Sequence, residues 1–122
     1  MYKLIVLDCD GTLLNSKKEL TNRTATALRT VIAKGTKVMI ASARPFYRLR
    51  PIVGLLGIDV EDQYTISFNG ALVTNNTETE IIYSKSFEVE QINDIINIGN
   101  KLSTSMFLYT RDAIFSNVDD AV

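Results

Sequence analysis

The chain has 122 residues, 46% of them hydrophobic and 22% charged, which is enough apolar content for one modest domain or part of a larger one. Thirteen basic against fourteen acidic residues leave a net charge of −1, so there is no basic field to recruit nucleic acid. Histidine is absent and cysteine occurs once, which excludes Ser-His and Cys-His catalysis, the usual zinc sites and an internal disulfide. Acid/base work then falls to carboxylates, lysine or tyrosine. A single cysteine suits a reducing cytoplasm, and the sequence shows neither a signal-peptide pattern nor an apolar stretch of bilayer-spanning length. The expected location is therefore cytoplasmic, with no membrane partner.

Leu4–Leu14 reads LIVLDCDGTLL. Its first four residues form an unbroken apolar run, as expected of a strand buried on both faces of a parallel sheet. The run ends in two carboxylates, Asp8 and Asp10, followed by Gly11 and Thr12. Ligands of open α/β sheets bind just beyond the carboxyl ends of the strands. On an extended path residues two apart project to the same side, so Asp8 and Asp10 can address one ligand while Cys9 points the other way. Two close anions must share a proton or be neutralised by a cation, and a hard divalent ion such as Mg2+ is the simplest neutraliser. Asp-Gly between apolar runs is also a hairpin signal, and a strand, turn, strand reading of the segment stays open. The loop does not fit an EF-hand, because Thr12 and Leu13 stand where the ligand pattern needs an acid and a glycine.

Asn15–Leu20 is polar and turn-like. Thr21 is a good N-cap, and Ala25, Leu28, Val31 and Ile32 recur at helical spacing up to Gly35, a C′ candidate. Thr36–Ala41 reads as a second buried strand, completing a βαβ unit and hence a parallel sheet. It ends in Ser42-Ala43-Arg44-Pro45. A hydroxyl and a guanidinium beside the first strand's carboxylates suit phosphate, although a helix cap and a solvated charge are the plain alternatives. Pro45–Leu56 is expected to be helical, with Pro51 kinking or splitting it. Tyr64–Phe68 reads as a third strand running into Asn69-Gly70-Ala71, and LVT with EIIYS as a hairpin through Asn75–Thr79. Ser86–Leu102 carries an amphipathic stripe of Val89, Ile92, Ile95, Ile96 and Leu102, expected to serve packing. Ser105–Tyr109 and Ala113–Phe115 suggest two strands joined by a turn at Thr110–Asp112, and Val118–Val122 reads as a fraying end.

Three of these segments carry a resemblance. DCDGTLL resembles the opening of the haloacid-dehalogenase-like (HAD) hydrolases, whose pattern is a hydrophobic strand followed by D-x-D-G-T-[LV]. SARP is similar to the T-G-R-P-like run that ends the second strand in their Cof-type, sugar-phosphatase branch, with Ser for Thr and Ala for Gly. N-G-A occurs there at the corresponding point beside the substrate phosphate. The resemblance implies an α/β fold: an incomplete Rossmann-like parallel sheet core over residues 1–85, then the beginning of an α/β cap over 86–122. It implies that Asp8 is the nucleophile and Asp10 the general acid/base. The Asp8 carboxylate and the Asp10 carbonyl would ligate Mg2+, and Ser42, Ala43, Arg44, Asn69 and Gly70 would bind phosphate. The implied reaction is hydrolysis of a small phosphorylated metabolite, a sugar phosphate by default, through an aspartyl-phosphate.

The family also needs a later lysine and a late G-D-x-x-x-D segment, and nothing after Ala71 matches either. A chain without them is expected to be a truncated portion of the enzyme, inactive alone, with an open sheet edge that invites self-association. The alternative from another class is a receiver-like, non-catalytic phosphate-binding module; its third strand would need to end in Asp, and here Phe68-Asn69-Gly70 follows.

Overall fold

A computed structural model of the chain describes residues 2–118, and the acids Asp119 and Asp120 of the C-terminal segment lie outside the described residues. The chain divides into two compact units, one ending at Ser84 and the other beginning at Lys85.

The first unit is built on a five-stranded sheet in sequence order: β1 (Leu4–Asp8), β2 (Lys37–Ala41), β3 (Tyr64–Ser67), β4 (Leu72–Asn75) and β5 (Ile81–Ser84). The first three strands are parallel, with Asp8 opposite Ala41 and Ala41 opposite Ile66, so their carboxyl ends lie side by side. The last two are antiparallel, joined by the hairpin expected through Asn75–Thr79. Two helices make the crossovers, α1 (Asn22–Ala33) and α2 (Phe46–Leu56). The Thr21 hydroxyl accepts from the Thr24 amide at the start of α1, and Gly35 leaves the helix with a φ of +88°. Pro51 sits inside α2 without splitting it. Packing of Leu49, Ile52, Val53 and Leu56 into the core holds the helix continuous across the missing amide.

Both helices cover one sheet face. Ala25 and Leu28 from α1 and the apolar side of α2 meet Val38 and Ile40 from β2, with Leu7 packed against the cluster. Arg29 of α1 donates through Nε to the Leu55 carbonyl of α2 at 3.1 Å, tying the two together. A buried polar seam joins β3 to the turn between β4 and β5 and to the segment that follows α2. The Thr65 hydroxyl donates to Asn76 at 2.7 Å, and the Asn76 amide donates to the Ile58 carbonyl at 2.7 Å. Each member of that seam has a partner, which is the condition for keeping polar groups inside.

β1 departs from the expectation of a strand buried on both faces. Leu4 and Val6 are 48% and 50% exposed, while Ile5 and Leu7 on the opposite side are half-buried. The apolar run is the sort found in a doubly covered strand, but in the described sheet β1 has β2 as its neighbour and helices on one side only.

The second unit contains α3 (Val89–Lys101) and a hairpin of β6 (Phe107–Tyr109) and β7 (Ile114–Ser116). Glu88 and Gln91 form a reciprocal capping box at the start of α3. Gly99 is buried against Met106, with no room there for a Cβ. The stripe expected to serve packing is mostly open: Ile92 is half-buried, but Val89, Ile95, Ile96 and Leu102 are exposed. A single helix and a two-stranded ribbon do not supply enough surface to cover such a face.

Ile40 is fully buried at the centre of the helix-covered face. Ile40→Ala is expected to lower the unfolding free energy of the first unit by about 2–5 kcal/mol, measured by chemical denaturation.

Candidate functional site

The side-by-side carboxyl ends of β1, β2 and β3 deliver three loops to one place. The first begins with Asp8, at the end of β1. Cys9 is wholly buried and faces the core, while Asp8 and Asp10 are exposed on the other side, as the period of a strand requires. Gly11 turns the chain at φ +78°. The chain then folds back, Leu13 donating its amide to the Asp8 carbonyl at 3.1 Å and Leu14 to the Cys9 carbonyl at 2.9 Å. Leu13 and Leu14 are buried in the helix-covered core. Cys9 on one side and the two leucines on the other therefore anchor the acidic turn at both ends. Beyond it a small flap closes on Asn15, whose side chain accepts the amides of Lys17 and Glu19. No second strand follows β1 within this segment, only a turn with an isolated parallel bridge between Asp10 and Leu14, so the strand, turn, strand reading gives way to a folded turn after the D-x-D.

The second and third loops are stitched to each other. Ser42 donates its amide to the Ile66 carbonyl at 3.0 Å, and its own carbonyl accepts from the Asn69 amide at 3.1 Å. The Arg44 carbonyl accepts from the Phe68 amide at 3.0 Å. The Ser42 hydroxyl, itself buried, accepts from the Arg44 amide at 3.1 Å. This is a turn within the loop and not the helix cap set against phosphate binding in the sequence, since the N-cap of α2 is Pro45, with no side-chain cap. Phe68, Asn69 and Gly70 all have positive φ, at 51°, 56° and 92°. Asn and Gly adopt this region readily, but for Phe68 it is strained, by about 1–3 kcal/mol. The two inter-loop amide bonds hold the strained residues in place.

Between these loops lies a cleft of about 340 Å3, lined by Asp8, Ser42, Ala43, Asn69 and Gly70 with Ala41 and Ile66 as its floor. Five of the seven residues singled out in the sequence thus meet around one space. The remaining two, Asp10 and Arg44, pair with each other instead. The Arg44 guanidinium forks onto the Asp10 carboxylate, Nε to one oxygen at 2.9 Å and a terminal nitrogen to the other at 2.5 Å. This bidentate hydrogen bonding holds the Asp10 carboxyl below its usual range, helped by the charges of Arg44 and Lys18, and raises the Arg44 guanidinium above its own. Burial pushes the Cys9 thiol up, against the pull of Arg44.

Sequence reasoning missed the part of Lys18, whose charge reaches Asp10 from the flap. It also missed Phe68, because nothing in an apolar β-former announces a left-handed conformation. For a divalent cation, the donors that the resemblance implies would be the Asp8 carboxylate and the backbone carbonyl of Asp10. Both are hard oxygens of the kind Mg2+ takes, and they leave its remaining positions to water or other donors. Among the described residues, no group of three or more His, Cys, Asp or Glu converges to complete the shell.

The family described as haloacid dehalogenase-like hydrolase matches residues 5–121. YxeH of Bacillus subtilis is 31% identical over 116 residues, covering 95% of this chain and 43% of that protein. Phosphatase YwpJ of B. subtilis is 29% identical over 114 residues, 93% of this chain and 39% of its own length. The crystal structure of a haloacid dehalogenase-like hydrolase from Bacteroides thetaiotaomicron superposes with a TM-score of 0.90 at 30% identity, covering 99% of this chain and 46% of that one. The chain therefore spans less than half the length of these relatives. With a family model over residues 5–121 and relatives about 30% identical across nearly its whole length, the chain belongs to the haloacid dehalogenase-like hydrolases.

Proposed function

We infer that this chain is the N-terminal portion of a Mg2+-dependent phosphatase that hydrolyses small phosphorylated metabolites, sugar phosphates in particular. The observation that carries the reading is the position of Asp8: a carboxylate at the end of β1, opening on a cleft that Ser42, Asn69 and Gly70 also line. Family membership supports hydrolysis, and the resemblance of SARP and N-G-A to the Cof-type branch supports phosphate as the group held there. Residues 1–85 would form the first part of the catalytic core and 86–122 the start of a cap that selects the organic part of the substrate. The break between compact units after Ser84 is consistent with that division.

In this reading an Asp8 carboxylate oxygen attacks phosphorus in line, and the bond from phosphorus to the leaving alkoxide breaks. Asp10 gives its proton to that alkoxide, then takes one from the water that attacks the aspartyl-phosphate. Phosphate leaves and the Asp8 carboxylate is restored. Mg2+, held by the Asp8 carboxylate and the Asp10 carbonyl, would offset the charge between the phosphoryl oxygens and the two aspartates. Asp10 lies outside the cleft lining but one residue from the buried Cys9, so its side chain stays on the Asp8 side of the turn.

A receiver-like module is disfavoured, since β3 ends in Ser67 and offers no carboxylate there. The open edge of β1 supports strand pairing at that edge, by further chain or by a second copy. Among the described residues no helix is long and apolar enough to cross a membrane, and a cytoplasmic location remains part of the proposal.

In the full-length protein, Asp8→Asn is expected to reduce turnover of phosphate monoesters at least about 1000-fold, because the nucleophile is removed while its shape is kept. Steady-state kinetics on an aryl phosphate measures this, and wild-type turnover by the variant would overturn the mechanism. Exhaustive removal of divalent ions is expected to abolish activity, and Mg2+ to restore it; full activity after chelation would exclude the metal. The 122-residue chain by itself is expected to hydrolyse the same substrate negligibly, since it presents two carboxylates to an incoming dianion with few opposing charges. Robust Asp8-dependent turnover by a chain of confirmed mass would show that the later segments are dispensable.

A further inference from the structure

Arg44 is expected to bind phosphate, yet its fork is already occupied by Asp10. We propose that the Asp10–Arg44 pair is an internal occupant of the anion site: a phosphate dianion reaches Arg44 by exchange, displacing the Asp10 carboxylate from the guanidinium. The proposal rests on the phosphate-binding reading of the cleft and says how that cleft is held when no anion is in it.

Three observations carry it. First, the loops around the cleft have spent much of their backbone donor capacity on each other. The amides of Ser42, Arg44, Phe68 and Asn69 all donate within or between the loops. Neutral donors alone then leave an incoming dianion poorly compensated beside Asp8, and the cation carried by the second loop is Arg44. Second, the Arg44 backbone is pinned at both its amide and its carbonyl next to Ala43, a lining residue. The long side chain is what can move. Third, the pair is weak enough to open. The Asp10 side chain is 51% exposed and that of Arg44 27%, and ion pairs in contact with water contribute little net free energy. The planar fork that fits two carboxylate oxygens fits two phosphoryl oxygens equally well, and a dianion is the stronger partner.

The exchange separates from simple charge removal in a double-mutant cycle. Inorganic phosphate is titrated into the 122-residue chain at neutral pH and constant ionic strength, followed by the amide resonances of Asn69 and Gly70. Asp10→Ala is expected to tighten phosphate binding about fivefold by releasing the fork. In the Arg44→Ala background the same substitution is expected to change affinity less than about twofold, because only screened repulsion is then relieved. Arg44→Lys, which keeps the charge and loses the fork, should behave as Arg44→Ala does in the cycle. Equal gains in both backgrounds, or no gain from Asp10→Ala, would overturn the exchange. If Asp10→Ala loses its amide dispersion, the wild-type Arg44 Nε–H resonance decides: it must shift on phosphate saturation, and an unchanged resonance would overturn the proposal. No turnover is involved, so wild-type turnover by Asp8→Asn would remove Asp8 as the nucleophile and leave this result standing. A failed exchange would likewise leave the role of Asp8 untouched.

Discussion

The site depends on a single constraint, the burial of Cys9 between two exposed carboxylates. With the thiol wholly enclosed and Leu13 and Leu14 buried just beyond, the turn after β1 cannot rotate without pulling apolar groups from the core. Burial of each of the two leucines contributes about 1.5–3 kcal/mol. Asp8 and Asp10 are therefore held on the solvent side by residues that never touch a ligand. A polar residue at Cys9 would loosen the carboxylates as surely as changing one of them.

The second feature is the way like charges are managed. Asp8 faces the cleft, while Asp10 is turned onto Arg44, which keeps it ionised and holds it in one orientation. In the proposed mechanism the ionised form is the one Asp10 needs as base in the second step; to act as acid in the first it must leave Arg44 and take up a proton. The Ser42 hydroxyl also has two claims on it. It accepts the Arg44 amide and so shapes the loop, which leaves its own hydrogen to point elsewhere.

The architecture bears on the family comparison. A parallel sheet with helices on one face and an edge strand as apolar as β1 has surface for further cover, and relatives more than twice as long share the same fold over this stretch. The open stripe of α3 has the same character in the second unit. Both are places where apolar surface outruns the described elements that could bury it.

Much of this was legible in the amino-acid sequence. The βαβ order, Thr21 and Gly35 at the ends of α1, the Asn75–Thr79 hairpin and the D-C-D alternation follow from short-range rules of period, capping and turn chemistry, which need no knowledge of neighbours. Asp8 and Ser42 stand out in the same way at the ends of apolar runs, whereas Asn69 and Gly70 read locally as a turn and are singled out only by the family resemblance. Tertiary structure decided the rest. The continuity of α2 across Pro51 depends on core contacts from other elements, and the exposure of Leu4 and Val6 depends on which strands flank β1. The left-handed Phe68 is held by hydrogen bonds to a loop 24 residues earlier, between the Phe68 amide and the Arg44 carbonyl. The pairing of Arg44 with Asp10, 34 residues apart, was likewise invisible. Sequence periodicity says where a side chain points along its own element; which distant group it meets is set only when the strands come into register.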